Sequence, residues 1–195
     1  MDYPRAVPTV PPTNAEPLRA DSARVRARML RAARERLAAG DLELPMNAIA
    51  KAAGVGVGTV YRHFPSRQAL LEALAAERFA LLVDVAERAA VGPDVAAELA
   101  RLLRAALEHQ RADPALAAVL AEPDAARPET RELGEALTAA VERLLERARA
   151  TGVIRPEITA GNLQALFCGL QHTVRVGGGT GTDRYIDILL RGLRA

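Results

Sequence analysis

The chain is expected to be all-α, with about nine helices, and three observations lead there. Half of its 195 residues are hydrophobic, yet it has only three Tyr and three Phe and no Trp. Ala, Leu and Val therefore carry the apolar content, which suits helices packed closely through small side chains. Apolar residues recur at spacings of three and four, and no segment alternates as a strand would. Residues that start and stop helices separate these stripes.

Taken in order, residues 1–18 contain Pro4, Pro8, Pro11, Pro12 and Pro17 without periodicity and predict an extended, disordered tail. A first helix starts at Asp21 or Ser22, both good N-caps, carries Val25, Met29, Ala33 and Leu37, and stops at Gly40-Asp41. A second follows Pro45 from Met46 to Ala53 and ends at Gly54, and a third spans Val57 to His63. Pro65-Ser66 opens a long fourth helix to about Ala90, with Leu70, Leu71, Leu74, Phe79 and Leu82 on its apolar side. Gly92-Pro93-Asp94 precedes a fifth, and Asp113-Pro114 a short sixth in which Pro fits the first turn. A seventh runs from about 129 to 151 and stops at Gly152, Thr159 caps an eighth that reaches Val176, and Thr182-Asp183 starts a ninth. Between the last two, Gly177-Gly178-Gly179 reads as a flexible joint.

Composition narrows the function classes. A single Cys (Cys168) excludes an internal disulfide framework and a Cys-based zinc site, and fits a reducing cytoplasm. No apolar run is long enough for a membrane span, and no signal peptide is expected at the N-terminus. The net charge of +2 hides an asymmetry: residues 19–67 hold ten Arg and Lys against four Asp and Glu, while residues 68–195 hold fifteen against eighteen. A basic third on a mildly acidic body is the pattern of a phosphate-facing module on a scaffold, although six Arg within 24–36 also fit a solvated helix face.

The stretch from Ile49 to Phe64 is the most informative. Two short helices joined tightly need a residue at ease with positive φ, which Gly54 supplies, and a small residue where they cross, which Ala50 or Ala53 supplies. Ile49, Val55, Val60 and Phe64 can fill the shared core, leaving Gly56, Val57, Thr59, Tyr61, Arg62 and His63 outward on a helix sized for the major groove. Met29-Leu30-Arg31-Ala32-Ala33, Ile49-Ala50, Ala53-Gly54-Val55, Gly58-Thr59-Val60-Tyr61, His63-Phe64 and Ser66-Arg67 with Leu70 recur at matching spacing over nearly fifty positions. Residues 24–70 thereby resemble the DNA-binding domain of the TetR family of bacterial repressors, and the wording from Gly56 to Pro65 is similar to an actinobacterial subgroup.

That resemblance implies roles. Thr59 and Tyr61 bond phosphates with His63 beside them, the Ser66-Arg67 helix start holds another phosphate, and Lys51 contacts the backbone. Arg24, Arg26 and Arg28 reach flanking phosphates or the minor groove. Pro45-Met46 and Gly56 stand where many relatives have Thr and Ser, so side-chain contacts are lost there. Val57 is then left for a thymine methyl, and Arg62 for a guanine or a phosphate. For Gly56 and Gly58 simple turn chemistry is an equal explanation, and for Tyr61 and His63 packing between helices is the ordinary one. The expected division is a tail (1–18), a helix-turn-helix domain (19–66) and a dimerisation and effector domain (67–195).

A lone helix-turn-helix reads few base pairs, so a homodimer on a palindromic double-stranded operator is expected. Gly161, Ala165, Gly169 and Thr173 form a small-residue row that permits close helix approach, and Tyr185, Ile186, Leu189, Leu190 and Leu193 form a second stripe. Both are candidates for the dimer surface or for packing within one protomer. Phe79, Leu103, His109, Phe167, Gln171 and His172 are candidate pocket residues for a small-molecule effector of unknown chemistry, each also an ordinary core or interface residue. No cofactor, metal or membrane partner is expected.

An enzyme is the first rival reading. His63, His109 and His172 are too scattered for a metal, and the two Ser both sit at helix starts. Cys168 and His172 lie one turn apart, but a thiol within Leu166-Phe167-Cys168-Gly169-Leu170 reads as an inert core residue. A sequence-nonspecific chromatin protein or adaptor is the second rival, distinguished by binding that ignores operator sequence.

Overall fold

A computed structural model of the chain describes residues 15–122, 124–177 and 181–195. Nine helices occur among them: α1 (Ala15–Ala38), α2 (Met46–Ala53), α3 (Val57–His63), α4 (Arg67–Val91), α5 (Val95–Ala112), α6 (Pro114–Ala121), α7 (Pro128–Ala150), α8 (Ala160–Val176) and α9 (Thr182–Leu193). The first helix begins ahead of the caps at Asp21 and Ser22, so residues 15–18 of the expected tail are helical. Pro17 falls in the first turn, where a missing N–H leaves no helical bond unmade. The rest of that tail, residues 1–14, and Gly178 and Gly179 of the expected joint lie outside the described residues.

Local chemistry fixes most of the helix ends. Ser66 accepts the Ala69 N–H at 3.0 Å, Asp94 that of Ala97 at 3.0 Å, and Asp113 those of Ala115 and Leu116 at 2.9 and 3.2 Å. Thr159 and Asn162 cap α8 reciprocally: the Thr159 hydroxyl accepts the Asn162 N–H, and the Asn162 side chain accepts the Thr159 N–H. Arginines close other ends from a distance. Arg147 on α7 donates to the Ala90 and Gly92 carbonyls at the end of α4, and Arg155 donates to the Gly192 carbonyl at the end of α9.

The interior has two centres. The first joins α1, α2, α3, the first half of α4 and Ala115, Leu116 and Val119 of α6. The second joins Leu82, Ala86 and Ala89 of α4 with α5, the second half of α7, α8 and α9. α4 has no Gly or Pro in its 25 residues, spans about 37 Å and contributes to both. The turn between α1 and α2 is held by Asp41, whose carboxylate accepts from Arg36 and from the Leu44 N–H. Leu44 there is fully buried at φ +44°, a left-handed conformation unusual for a branched side chain, held by core burial against a cost of about 1–2 kcal/mol.

Candidate nucleic-acid interface

The α2–α3 unit is built as the spacing requires. Gly54 adopts φ +65°, ψ +43°, and the Val55 N–H returns to the Ala50 carbonyl at 3.0 Å, a left-handed cap that turns the chain sharply into α3. Val60 and Phe64 are sealed against Ile49, Ala50 and Ala53 in the first core, and Val55 packs half-buried beside them. With its base so fixed, α3 presents its other face to solvent: Val57 is 46% exposed, Tyr61 51%, and Gly56, Gly58 and Arg62 are exposed as well. Thr59 is half-buried, and Lys51 on the neighbouring α2 is exposed.

Arg62 folds back along its own helix, with Nε 3.3 Å from the Gly58 carbonyl and a terminal nitrogen 3.1 Å from the Thr59 hydroxyl. These exposed contacts are weak enough for a phosphate or base edge to replace. His63 is half-buried, its ring 6.4 Å from that of Phe64. Arg24 is exposed beside Asp21 at 3.3 Å, and Arg28 is exposed.

Two arginines occupy places the sequence does not announce. Arg67 does not extend from the start of α4; it donates to the Glu43 carbonyl at 2.9 Å and the Leu42 carbonyl at 2.6 Å. Its guanidinium therefore pins the α1–α2 turn to α4, which leaves the backbone of this helix start, rather than the side chain, to face an anion. With Ser66 accepting from Ala69, the amides of Arg67 and Gln68 are the groups left at this helix start for an anion. Arg26 is half-buried with its guanidinium 5.3 Å above the Phe64 ring, so it braces α1 on the end of α3 rather than reaching outward. Burial first and the charge of Arg127 second weaken its hold on its proton, with Glu129 opposing. Its place three residues before buried Met29 is the one sequence signal that it faces inward.

The six candidate effector residues are not brought together. Phe79 lies in the first core, whereas Leu103 and Phe167 lie in the second. Gln171 donates to the buried amide of Gln110, His109 is half-buried with Nδ1 enclosed and without a hydrogen bond, and His172 is exposed. Phe79 is thus set apart from the others in a separate core, and His172 lies at the protomer's surface. The clefts lie elsewhere. One of about 260 Å³ is lined by Arg34, Leu74, Glu77, Arg78, Leu81 and Asp113. Another of about 390 Å³ runs between α4 and α5 over Val85, Ala89, Leu102 and Ala105.

On α8, Gly161, Ala165, Gly169 and Thr173 are all exposed, while Leu163, Phe167, Leu170 and Val174 face the second core. On α9, Tyr185, Leu189 and Leu190 are half-buried. Ile186 and Leu193 are sealed in the protomer's own core and cannot form a dimer surface, a correction the one-dimensional stripe does not reveal. Exposed Leu166, Val176 and Ile188 lie on the same two helices, and Cys168 is exposed rather than buried as an inert core thiol. Among the described residues, no helix is long and apolar enough to cross a membrane, and no group of three His, Cys, Asp or Glu is gathered for a metal.

Comparison with known proteins agrees with this architecture. Residues 29–74 match the profile described as bacterial regulatory proteins, tetR family, and residues 93–195 match that of the transcriptional regulator SbtR-like C-terminal domain. No protein of curated description matches the chain. Among solved structures, a TetR transcriptional regulator from Streptomyces coelicolor is 29% identical, covering 89% of this chain and 98% of its own, with a TM-score of 0.52. A protein of unknown function from Rhodococcus sp. RHA1 is 28% identical, covering 88% and 96%, with a TM-score of 0.61. RolR in complex with resorcinol, 21% identical over 90% of each chain with a TM-score of 0.62, shares the fold. With more than half of the chain inside the C-terminal profile and a helix-turn-helix profile ahead of it, the protein belongs to the TetR family of bacterial regulatory proteins and is a DNA-binding transcriptional regulator.

Proposed function

We propose that the protein acts as a repressor in the cytoplasm, as a homodimer whose two copies of α3 enter successive major grooves of a palindromic operator about 34–36 Å apart. The observation that carries this reading is the contrast within α3, where Val60 is sealed into the core while Val57 and Tyr61 stand out from the basic third of the chain. Tyr61, Thr59, His63, Lys51 and the amides of Arg67 and Gln68 contact phosphates, with Arg24 and Arg28 on the flanks. Val57 and Arg62 meet base edges, and Gly56 lets the backbone approach closely.

In this reading the dimer forms through the exposed side of α8 and α9, using Gly161, Ala165, Gly169 and Thr173 with Leu166, Val176 and Ile188. The helix-turn-helix unit takes residues 19–66 and shares the first half of α4 with the effector and dimerisation region. A small molecule bound in that region lowers operator affinity through a coupling of about 1–3 kcal/mol. Its class is left open; Leu103 and Phe167 share the second core, and Gln171 bonds to Gln110 beside His109. No catalytic step is assigned to the protein.

The test is a footprint of the purified protein on the DNA flanking its gene, followed by titration of the protected duplex at two salt concentrations. A preference of about a thousandfold or more over random duplex is expected. Binding that is equally tight on random DNA and driven by salt alone overturns the reading in favour of a nonspecific chromatin protein.

A further inference from the structure

One buried charged side chain has no part in the interface described above. Glu72 on α4 is 1% exposed, and no cation is bonded to it. Its carboxylate accepts the backbone N–H of Ala126 at 2.7 Å and of Arg127 at 2.8 Å, together with the Gln68 side-chain amide at 3.0 Å. Arg127 is the N-cap of α7, followed by Pro128, and its own side chain caps nothing. The start of α7 is thus capped by another helix, 55 residues away in sequence. A buried carboxylate is tolerated only when its lone pairs are met, and here backbone donors at a helix start meet them.

The clasp holds the start of a helix that runs from one centre into the other: Leu133 and Ala136 near the start of α7 pack on the first centre, and its later turns enter the second. Glu72 sits among Leu70, Leu71, Ala73 and Leu74, which pack with α1, α2 and α3, whereas Ala140, Leu144, Leu145 and Ala148 of α7 lie in the second core with α8 and α9. A further contact runs beside it. Arg127 pairs with Glu129 at 3.4 Å, its charge acts on Arg26, and Arg26 covers the Phe64 ring that ends α3. The tie between the first centre and the start of α7 thus runs through α4 at Glu72.

We propose that Glu72 is a specificity-determining positioning residue: by fixing the start of α7 to α4 it sets the angle between the DNA-binding unit and the dimerising body. That angle determines the separation of the two recognition helices and hence the half-site spacing the dimer accepts. The inference rests on the operator-docking reading. Glu72 itself contacts no nucleic acid, so its loss should not alter which bases are preferred within a half-site.

The experiment compares full-length wild type, Glu72→Gln and Glu72→Asp on synthetic duplexes carrying the footprinted half-sites at the native spacing and at one and two base pairs more or fewer. A second set carries single base changes within a half-site. Gln keeps the size but turns an N–H toward an N–H, and Asp keeps the charge but withdraws it by one methylene. Wild type is expected to reject a spacing error of one base pair by about tenfold or more. Glu72→Gln should flatten that penalty to about threefold or less with half-site base preference unchanged, and Glu72→Asp should fall between. Hydrogen exchange at the 126 and 127 amides should rise in both variants.

If Glu72→Gln does not fold, as judged by its thermal melt, Glu72→Asp alone decides. A wild-type spacing profile in a folded variant whose 126 and 127 amides exchange faster overturns the inference, as does an equal loss of base preference and spacing preference. A wild-type protein that binds its half-sites equally at every spacing overturns it too. Wild type that binds no duplex at all overturns the docking reading along with it.

Discussion

α3 and α8 both hold one face against a core and show the other to solvent, but they show different chemistry. α3 displays a phenol, a guanidinium, an isopropyl group and two glycines around a base sealed by Val60 and Phe64. α8 displays Gly161, Ala165, Gly169, Leu166 and Val176, interspersed with Asn162, Gln164, Cys168, His172 and Thr173, above Leu163, Phe167, Leu170 and Val174. Polar groups of that kind keep good water contacts until an anion replaces the water, so such a surface is stable alone and ready for phosphate. Small and aliphatic groups have no comparable use for water, and close approach by another helix is what removes them from it. The contrast is the one the proposed function uses, with nucleic acid on the α3 face and a second copy of the chain on the α8 face.

The largest expected effect breaks the protein-facing side of this contrast. Ala165→Arg places a charge in the middle of the small-residue row of α8. Sedimentation should show a monomer, and operator affinity should fall by about a hundredfold as the second half-site is lost. An intact dimer would show that α8 faces nothing. Next, Arg67→Ala removes donors to the Leu42 and Glu43 carbonyls and should cost about 1–2 kcal/mol in urea unfolding. The salt slope of DNA binding should stay unchanged, whereas a slope lowered by about one would restore Arg67 to the phosphate contacts.

Smaller effects sharpen the DNA-facing side. Tyr61→Phe should weaken binding about threefold to tenfold on every related operator alike, and Arg62→Ala should relax preference only at particular positions. Titration against a panel of single-base operator variants separates the two, and equal affinity for wild type and both variants would remove α3 from the groove. The smallest effect concerns acid. The Arg36 guanidinium, bonded to the Asp41 carboxylate, holds its pKa below the usual range, with burial opposing. A carboxyl depressed by folding adds stability above its unfolded pKa and loses it as pH falls through the folded one, so the contribution fades below about pH 4. Glu142, held down chiefly by Arg149, should behave alike at the junction of α7 and α8. Asp41→Asn should blunt the acid response of hydrogen exchange in the DNA-binding third while leaving that of the α7–α8 junction intact.

Much of this organisation was readable in one dimension because its causes are local. Ser66, Asp94, Asp113 and Gly54 act within a few residues of themselves, and the helix ends they set lie where those residues predict. The outward residues of α3 were likewise legible, because a seven-residue helix with Val60 inward and Phe64 sealed at its C-cap leaves few alternatives for the rest. What stayed hidden depends on distant chain. Arg67 finds carbonyls 24 and 25 residues back, Glu72 finds amides 54 and 55 residues ahead, and no periodicity encodes either. The stripe on α9 predicts an apolar face for either the dimer surface or the protomer's own core, and only the neighbouring helices assign Ile186 and Leu193 to the latter. The placement of the candidate effector residues was hidden for the same reason. Phe79 and Phe167 are alike as apolar aromatics, and only the course of α4 assigns them to separate interiors.

The uninterrupted length of α4 has a mechanical consequence. With neither glycine nor proline among its 25 residues and with Arg147 tethering its far end, the helix offers no soft point at which to bend. A disturbance arriving at the end near Val91 must travel as a tilt or a slide of the whole rod. In the proposed homodimer, such a displacement would move each recognition helix by an amount set by leverage.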